Sequence, residues 1–343
     1  MVKTGTPMIN EAKEFLYKEA MVQYDIEYSD LSFIRHSENL TYRVLSKSKA
    51  ESYLLRIHCP LSGIIDKKWH DEKVINSELL WLKSLSESTD IQVQIPVMNK
   101  SGMLVSKVKH GENEIFCTML TWIEGTVRYE SDEYNATQVE NLGSLSAKLH
   151  NHAENWKIPE HFSRPAQDYD STLDNFKKLL KRNQVLNIFD KNSEEMLQKA
   201  IEKIGKCYET EKSQQNWGLI HGDLCENNYI LNGNNVSPID FSLCGYGSFS
   251  YDITTSLLHI FREDLWRSYF AGYKKHRGLP CTIRESIEAF FIFTQIDSWG
   301  FHCTDPNEEE WLRRSIKACL DNYIPPFLNG ESYIFSKFPS IDL

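Results

Sequence analysis

Two carboxylates and an amide sit at spacings that suit phosphoryl transfer. His221-Gly222-Asp223-Leu224-Cys225-Glu226-Asn227-Asn228 has the form H-G-D-x-x-x-x-N and lies between the apolar runs W-G-L-I and Y-I-L. A second carboxylate, Asp240, ends the run V-S-P-I-D and precedes Phe241. Transfer to a hydroxyl needs one carboxylate to accept or orient the acceptor's proton. It also needs an amide oxygen and a second carboxylate to hold Mg²⁺ against the phosphates. Loops beside short strands let Asp223, Asn228 and Asp240 converge. H-G-D alone is a common turn tripeptide; the weight rests on two linked motifs in strand–loop context.

In this wording the chain resembles the aminoglycoside phosphotransferase and choline kinase superfamily, distant relatives of protein kinases. Protein kinases write the loop H-R-D-L-x-x-x-N and the metal site D-F-G; here Gly222 replaces the Arg and I-D-F-S stands for D-F-G. The resemblance implies an α+β, bilobal protein-kinase-like fold: a small β-rich N-lobe with one main helix, and a larger, mostly helical C-lobe. It implies ATP and Mg²⁺ as cofactors, Asp223 as catalytic base, and Asn228 and Asp240 as Mg²⁺ ligands. It also implies that Asp252, in Y-D-I-T, braces the catalytic loop and that His221 is structural. Motif order supports it over about residues 30–256. Ser242 stands where many members carry a second acid, so any role of that acid is lost or carried elsewhere.

The same resemblance assigns nucleotide binding to the first third of the chain. Arg56, in Y-L-L-R-I-H, sits on the third strand where kinases place a phosphate-binding Lys. Glu78, in N-S-E-L-L-W-L, occupies the place of its ion-pair partner on the next helix. Arg offers a permanently charged planar fork and is not equivalent to Lys. The loop R-H-S-E-N-L-T-Y-R-V contains no glycine; Ser37 and Asn39 stand in for the glycines, although an ordinary polar hairpin has the same composition. Backbone groups of Leu120, Thr121 and Ile123, in F-C-T-M-L-T-W-I-E-G, are the expected adenine contacts, with the Met119 and Trp122 side chains in the core.

The elements that must position these groups follow from periodicity. Short strands are expected at residues 32–36, 40–45, 52–58, 103–108 and 114–120. A helix is expected over 68–85, with Val74, Leu79, Leu82 and Leu85 on one face. From Ala136 onward helical periodicity dominates, over 136–155, 172–181, 193–209 and much of 251–323. A β-like island at 217–241 interrupts it. The expected division is a nucleotide-binding lobe at 1–120, a hinge at 121–125, and a catalytic and acceptor-binding lobe at 126–343.

Bulk properties exclude several classes. A net charge of −10 over 343 residues argues against nucleic acid as a partner. Eight scattered cysteines with no C-x-x-C pair fit reduced thiols rather than a zinc knuckle. The start of the sequence has no apolar core suited to a leader, and no run nears the roughly 18 apolar residues that span a bilayer. A cytoplasmic protein without membrane partners is expected.

Eleven residues separate Asp240 from Asp252 and no A-P-E follows, which leaves no room for a usual peptide-positioning segment. The preferred acceptor is therefore a small-molecule hydroxyl on an amino alcohol, amino sugar or related metabolite. Asp297, Trp299, Phe301 and Trp311 form a candidate acceptor site for a cationic group. The competing reading makes them a solvated acidic helix start above core aromatics. A Ser/Thr protein kinase of the same superfamily and a non-catalytic nucleotide-binding protein remain as alternatives. A P-loop enzyme is excluded, since G-x-x-x-x-G-K-[ST] is missing.

Overall fold

The computed structural model describes residues 7–36, 39–47, 51–59, 67–128, 134–258, 260, 262–338 and 341. The chain divides into two compact units, Met1–Glu124 with Pro159–Ser163, and Gly125–Ile158 with Arg164–Leu343. Pro159–Ser163, expected with the second part, groups with the first.

The first unit holds α1 (Pro7–Val22), β1 (Tyr28–His36), β2 (Leu40–Ser46), β3 (Ser52–Ile57), α2 (Glu72–Ser88), β4 (Pro96–Val97), β5 (Ser106–His110) and β6 (Asn113–Thr121). Its strands form one antiparallel sheet in the order β1-β2-β3-β6-β4, with β5 also on β6. Strict alternation drives Leu40, Tyr42 and Val44 of β2 and Leu55 and Ile57 of β3 into one core. Leu16, Ala20 and Tyr24 join them. Helix α1, where no element is expected from the sequence, buries Leu16 and Ala20 one turn apart. The expected helix at 68–85 begins later. Lys67–His70 form a 3₁₀ turn, and Asp71 caps α2 by accepting from the Lys73 amide at 2.9 Å. Val74, Leu79, Leu82 and Leu85 are buried as anticipated, and so is Glu78.

The second unit contains β7 (Thr126–Val127), α3 (Ala136–Asn155), α4 (Tyr169–Leu186), α5 (Lys191–Ser213), β8 (Trp217–Ile220), β9 (Tyr229–Asn232), β10 (Asn235–Pro238), β11 (Gly245–Ser248), α6 (Phe249–Leu257), α7 (Glu263–Lys274), α8 (Ile283–His302), α9 (Glu309–Asn322) and α10 (Ile324–Asn329). The β-like island resolves into two small sheets, β10-β9-β7 and β11-β8. Tyr208 of α5 and Tyr251 of α6 meet Phe293 of α8 edge-on, with ring centroids 5.6 and 5.0 Å away. All eight cysteines are free; Cys281 is exposed and the others are buried or half-buried. No helix among the described residues is long and apolar enough to cross a membrane.

Buried carboxylates tie these helices together. Glu211 of α5, fully buried, accepts from the Ser248 and Ser286 hydroxyls at 2.6 Å each and from the Asn216 amide. Glu288 of α8 gathers the C-terminal segment. Its Oε1 accepts from the Ser332 hydroxyl at 2.7 Å and from the amides of Tyr333, Ile334 and Phe335 at 3.0, 2.9 and 3.2 Å. Four donors converging on one oxygen leave three amides orphaned if it is lost. Glu288→Ala should therefore destabilise the protein by roughly 2–4 kcal/mol in urea denaturation. Limited proteolysis should find the segment after α10 newly susceptible, and Glu288→Gln should lose less.

Candidate active site

The site is built around the first turn of α6. Ser248 caps that helix, accepting from the Ser250 and Tyr251 amides at 3.0 and 3.4 Å. Asp252 follows in the first turn and is fully buried. Its Oδ2 accepts from the His221 amide at 3.1 Å and its Oδ1 from the Gly222 amide at 2.8 Å. His150 of α3 lies 3.1 Å from Oδ2 through Nε2. A carboxylate only accepts, so Nε2 carries the proton and Nδ1 takes the Tyr273 hydroxyl hydrogen at 2.9 Å. Burial alone would raise the Asp252 carboxyl, but hydrogen bonds from His150 and the Gly222 amide hold it below the usual carboxylate range. Burial lowers His150, which stays neutral near pH 7.

The loop itself has little conformational choice. Gly222 has φ +80°, and a Cβ there would stand 2.7 Å from the Leu243 carbonyl oxygen. His221 donates through Nε2 to the Ile239 carbonyl at 3.0 Å, and its Nδ1 accepts the Asp223 amide at 3.3 Å. Its ring packs against Phe241 with centroids 4.5 Å apart. Asn228 Nδ2 donates to the Asp223 carboxylate at 2.6 Å and to the Asp223 carbonyl at 2.8 Å. The Ile239 amide donates to the Asn228 carbonyl at 2.9 Å, one residue before Asp240. Asp223, Asn228 and Asp240 are thus drawn to one end of the β9–β10 ladder.

Asp240 adopts a left-handed conformation, φ 60° and ψ 64°, and its Oδ1 accepts from the Ser242 hydroxyl at 2.8 Å. Ser242, where a second acid was expected, thereby orients the first. The turn after Asp240 is gripped by Arg164, which is buried and donates to the Ser242 carbonyl at 2.6 Å and to the Cys244 carbonyl. Gln167 donates to the Leu243 carbonyl at 2.6 Å. Neither residue was singled out in the sequence, because a lone Arg before Pro carries no motif. The donor set suits Mg²⁺. Nδ2 of Asn228 is occupied by Asp223, and the Asn228 amide oxygen and the Asp240 carboxylate are both hard oxygen donors of the kind Mg²⁺ takes, commonly with only one or two carboxylates beside substrate phosphates.

In the first unit, Arg56 of β3 meets Glu78 of α2 at 2.8 Å, both side chains nearly fully buried. A guanidinium cannot shed its charge, so burial there requires the facing carboxylate. His58 shares that sheet face, bonded to the Thr118 hydroxyl at 3.3 Å; burial, then Arg56 and His70, push its pKa well down. Asn39 is buried, and its amide oxygen has no partner among the described residues. Ser37 lies outside the described residues. Of the expected adenine contacts, Thr121 commits its amide to the Ile95 carbonyl at 2.9 Å, while Leu120 and Ile123 are buried.

The candidate acceptor residues separate. Asp297 accepts from Asn175 of α4 and, with Asp223, helps raise the buried Tyr251 hydroxyl, chiefly through burial and then Asp297. Asp297 and Asp223 thus act on the same hydroxyl. Trp299 corrects the expectation. It is fully buried and its indole N–H donates to Ser315 at 2.8 Å, so it belongs to the core. Phe301 and Trp311 are half-buried and flank His302 at 5.0 and 5.5 Å. The acidic stretch 305–310 is a helix start, where Asp305 caps the turn through the Asn307 amide at 2.9 Å.

The model of the phosphotransferase enzyme family matches residues 30–290. Amicoumacin kinase of Bacillus subtilis (strain 168) is 22% identical over 281 residues, 78% of each chain. A solved microcompartment-associated aminopropanol kinase superposes with TM-score 0.74 at 22% identity, over 95% of this chain and 99% of that one. A solved amicoumacin kinase in complex with AMP-PNP, Ca²⁺ and Ami gives 0.72 at 18% identity, over 95% and 99%. At these identities the structural likeness shows the fold.

Two of the buried imidazoles lead to a pH prediction. His58 and His150 are both held below the ordinary 6.5, so the unfolded chain takes up protons there first. Their contribution is complete above that value and is lost as pH falls beneath it. The lowered Asp252 adds a further loss only below its ordinary 3.8. The thermal midpoint should be flat from about pH 8 to 7 and fall steadily between about 6.5 and 5.

Proposed function

Because the chain belongs to the phosphotransferase enzyme family, we propose that it transfers the γ-phosphoryl group of ATP, bound with Mg²⁺, to a hydroxyl of a small molecule bearing a cationic amine. The observation that carries this reading is the Asn228–Asp223 contact at 2.6 Å, which aims one side chain as base and leaves the other's oxygen for metal. In this reading Asp223 receives or orients the acceptor's hydroxyl proton. Asn228 and Asp240 hold Mg²⁺, which when bound neutralises charge on the phosphates. Arg56, fixed by Glu78, serves the phosphates, and Asn39 covers them. Backbone groups at Leu120 and Ile123, and at Thr121 only the carbonyl, serve adenine. Asp252 and His221 hold the loop and touch no substrate.

A small acceptor is favoured over a protein. Residues 241–251 are spent on a 3₁₀ turn, on β11 and on the start of α6. The Arg164 grip on that turn leaves no free segment to position a peptide. Asp297, beside Tyr251, supplies the charge for an acceptor's ammonium, with Phe301 and Trp311 further along the same part of the chain. The kinases it resembles act, by their names, on amicoumacin and aminopropanol.

ADP release with Mg·ATP should be screened against amino alcohols, aminoglycosides, sugars and generic protein substrates. Turnover with an amine-bearing alcohol supports the reading; turnover with proteins alone overturns it. Asp223→Ala should cut turnover by roughly 10²–10⁴-fold while Mg·ATP still shifts the melting curve. Asp240→Ala should instead abolish the Mg²⁺ dependence of that shift. Asp297→Asn should raise KM for an amine acceptor on the order of tenfold, with kcat little changed.

A further inference from the structure

Asp240, the proposed metal ligand, keeps a left-handed backbone that residues with a Cβ rarely adopt. Among the described residues, Asn187 and Gln215 share this sign of φ, and both close helices, α4 and α5, where it is routine. Asp240 closes no helix. A residue held this way costs about 1–3 kcal/mol and persists only where its surroundings over-determine it. Glycine would relieve the strain, so a carboxylate is kept at this position against the backbone's preference.

One short strap, residues 164–167, supplies the restraint. Each of the four carbonyls that follow Asp240 accepts a hydrogen bond from it. Arg164 Nη2 donates to the Phe241 carbonyl at 3.4 Å and to the Ser242 carbonyl at 2.6 Å, and its Nε donates to the Cys244 carbonyl at 2.5 Å. Gln167 Nε2 donates to the remaining one, Leu243, at 2.6 Å. The strap is itself fixed. The Gln167 amide donates to the Tyr246 carbonyl at 2.7 Å and the Tyr246 amide to the Pro165 carbonyl at 3.0 Å, a parallel bridge along β11. Behind it Asp168 caps α4 by accepting from the Ser171 amide at 3.2 Å. On its other side Gln167 Nε2 packs against Gly222, in the space a Cβ there would fill. One amide side chain thus spaces the loop of Asp223 from the turn of Asp240.

We propose that Arg164 and Gln167 are positioning residues for the metal. They act through Asp240, clamping the turn behind it so that its carboxylate is presented before Mg²⁺ arrives. This inference rests on the function proposed above and deepens it by saying where Mg²⁺ affinity is set. Side chains that hold a metal ligand, rather than the metal, commonly set affinity by about 10–100-fold. The Arg164 fork is the larger contributor, because a Lys ammonium is a point charge and cannot span the Ser242 and Cys244 carbonyls together.

A Mg²⁺ titration of the full chain with AMP-PNP held constant, read as the shift in melting midpoint, tests the assignment. Arg164→Lys should raise the Mg²⁺ half-saturation by about 10–100-fold. Gln167→Leu should raise it roughly threefold. In both, the shift at saturating Mg²⁺ should return to that of the wild type. A merely structural role would instead lower the metal-free midpoint and shrink the shift at every Mg²⁺ concentration, with half-saturation unmoved. On an Asp240→Asn background, Arg164→Lys should alter the residual Mg²⁺ response by less than about twofold, since both changes act through one carboxylate. If Arg164→Lys does not fold, Gln167→Leu decides alone, because it removes one half-buried donor. An unchanged half-saturation, or the same change with Asp240→Asn in place, overturns the inference while a Mg²⁺-dependent shift in the wild type upholds Asp240 as ligand. A wild type whose shift ignores Mg²⁺ overturns that ligand assignment and this inference with it.

Discussion

The second unit depends on one buried carboxylate. Asp252 sits where no water reaches it, accepting from two consecutive loop amides and from His150. An uncompensated charge there would cost several kcal/mol, so its donors are held as firmly as it holds them. Those donors belong to His221 and Gly222, the residues immediately before Asp223. Orientation of the proposed base is thus inherited from α6, and α6 from the Ser248 cap and the Glu211 carboxylate behind it. The chain of positioning runs inward from helix packing to the reacting group.

That arrangement fixes the loop's conformation by side-chain and backbone bonds without regular structure. Three of its side chains each have a committed partner: His221 bonds Ile239, Asp223 bonds Asn228, and the Asp240 carboxylate bonds Ser242. Preorganised groups of this kind need not reorganise when charge develops, which is where electrostatic catalysis gains most. The first unit follows the same rule by a different device. Arg56 and Glu78, each buried, lock β3 to α2 with a pair that neither partner could leave.

Much of the fold was readable from pattern. Alternation in Leu40–Ser46 and Ser52–Ile57, the apolar face of α2, and the helical run Ala136–Asn155 follow from period alone. Helix α1 has no acidic residue in its first turn and no basic residue in its last, so its ends carry no charge signal. The start of α2 moved because the cap at Asp71, rather than the first apolar residue, decides where a helix begins. Trp299 misled for a physical reason: an aromatic beside an acid looks the same in sequence whether its ring faces ligand or core.

Residue types and their order were enough to name the chemistry, because H-G-D-x-x-x-x-N and I-D-F combine functional groups that few other reactions require together. They were not enough to name what holds those groups in place. His150, Arg164, Gln167 and Tyr273 come from helices and loops far along the chain, and their contacts exist only after packing brings them to the loop. Local sequence encodes which groups are present and the period of each element. Hydrogen bonds between distant segments depend on burial and direction, which arise from the folded arrangement as a whole.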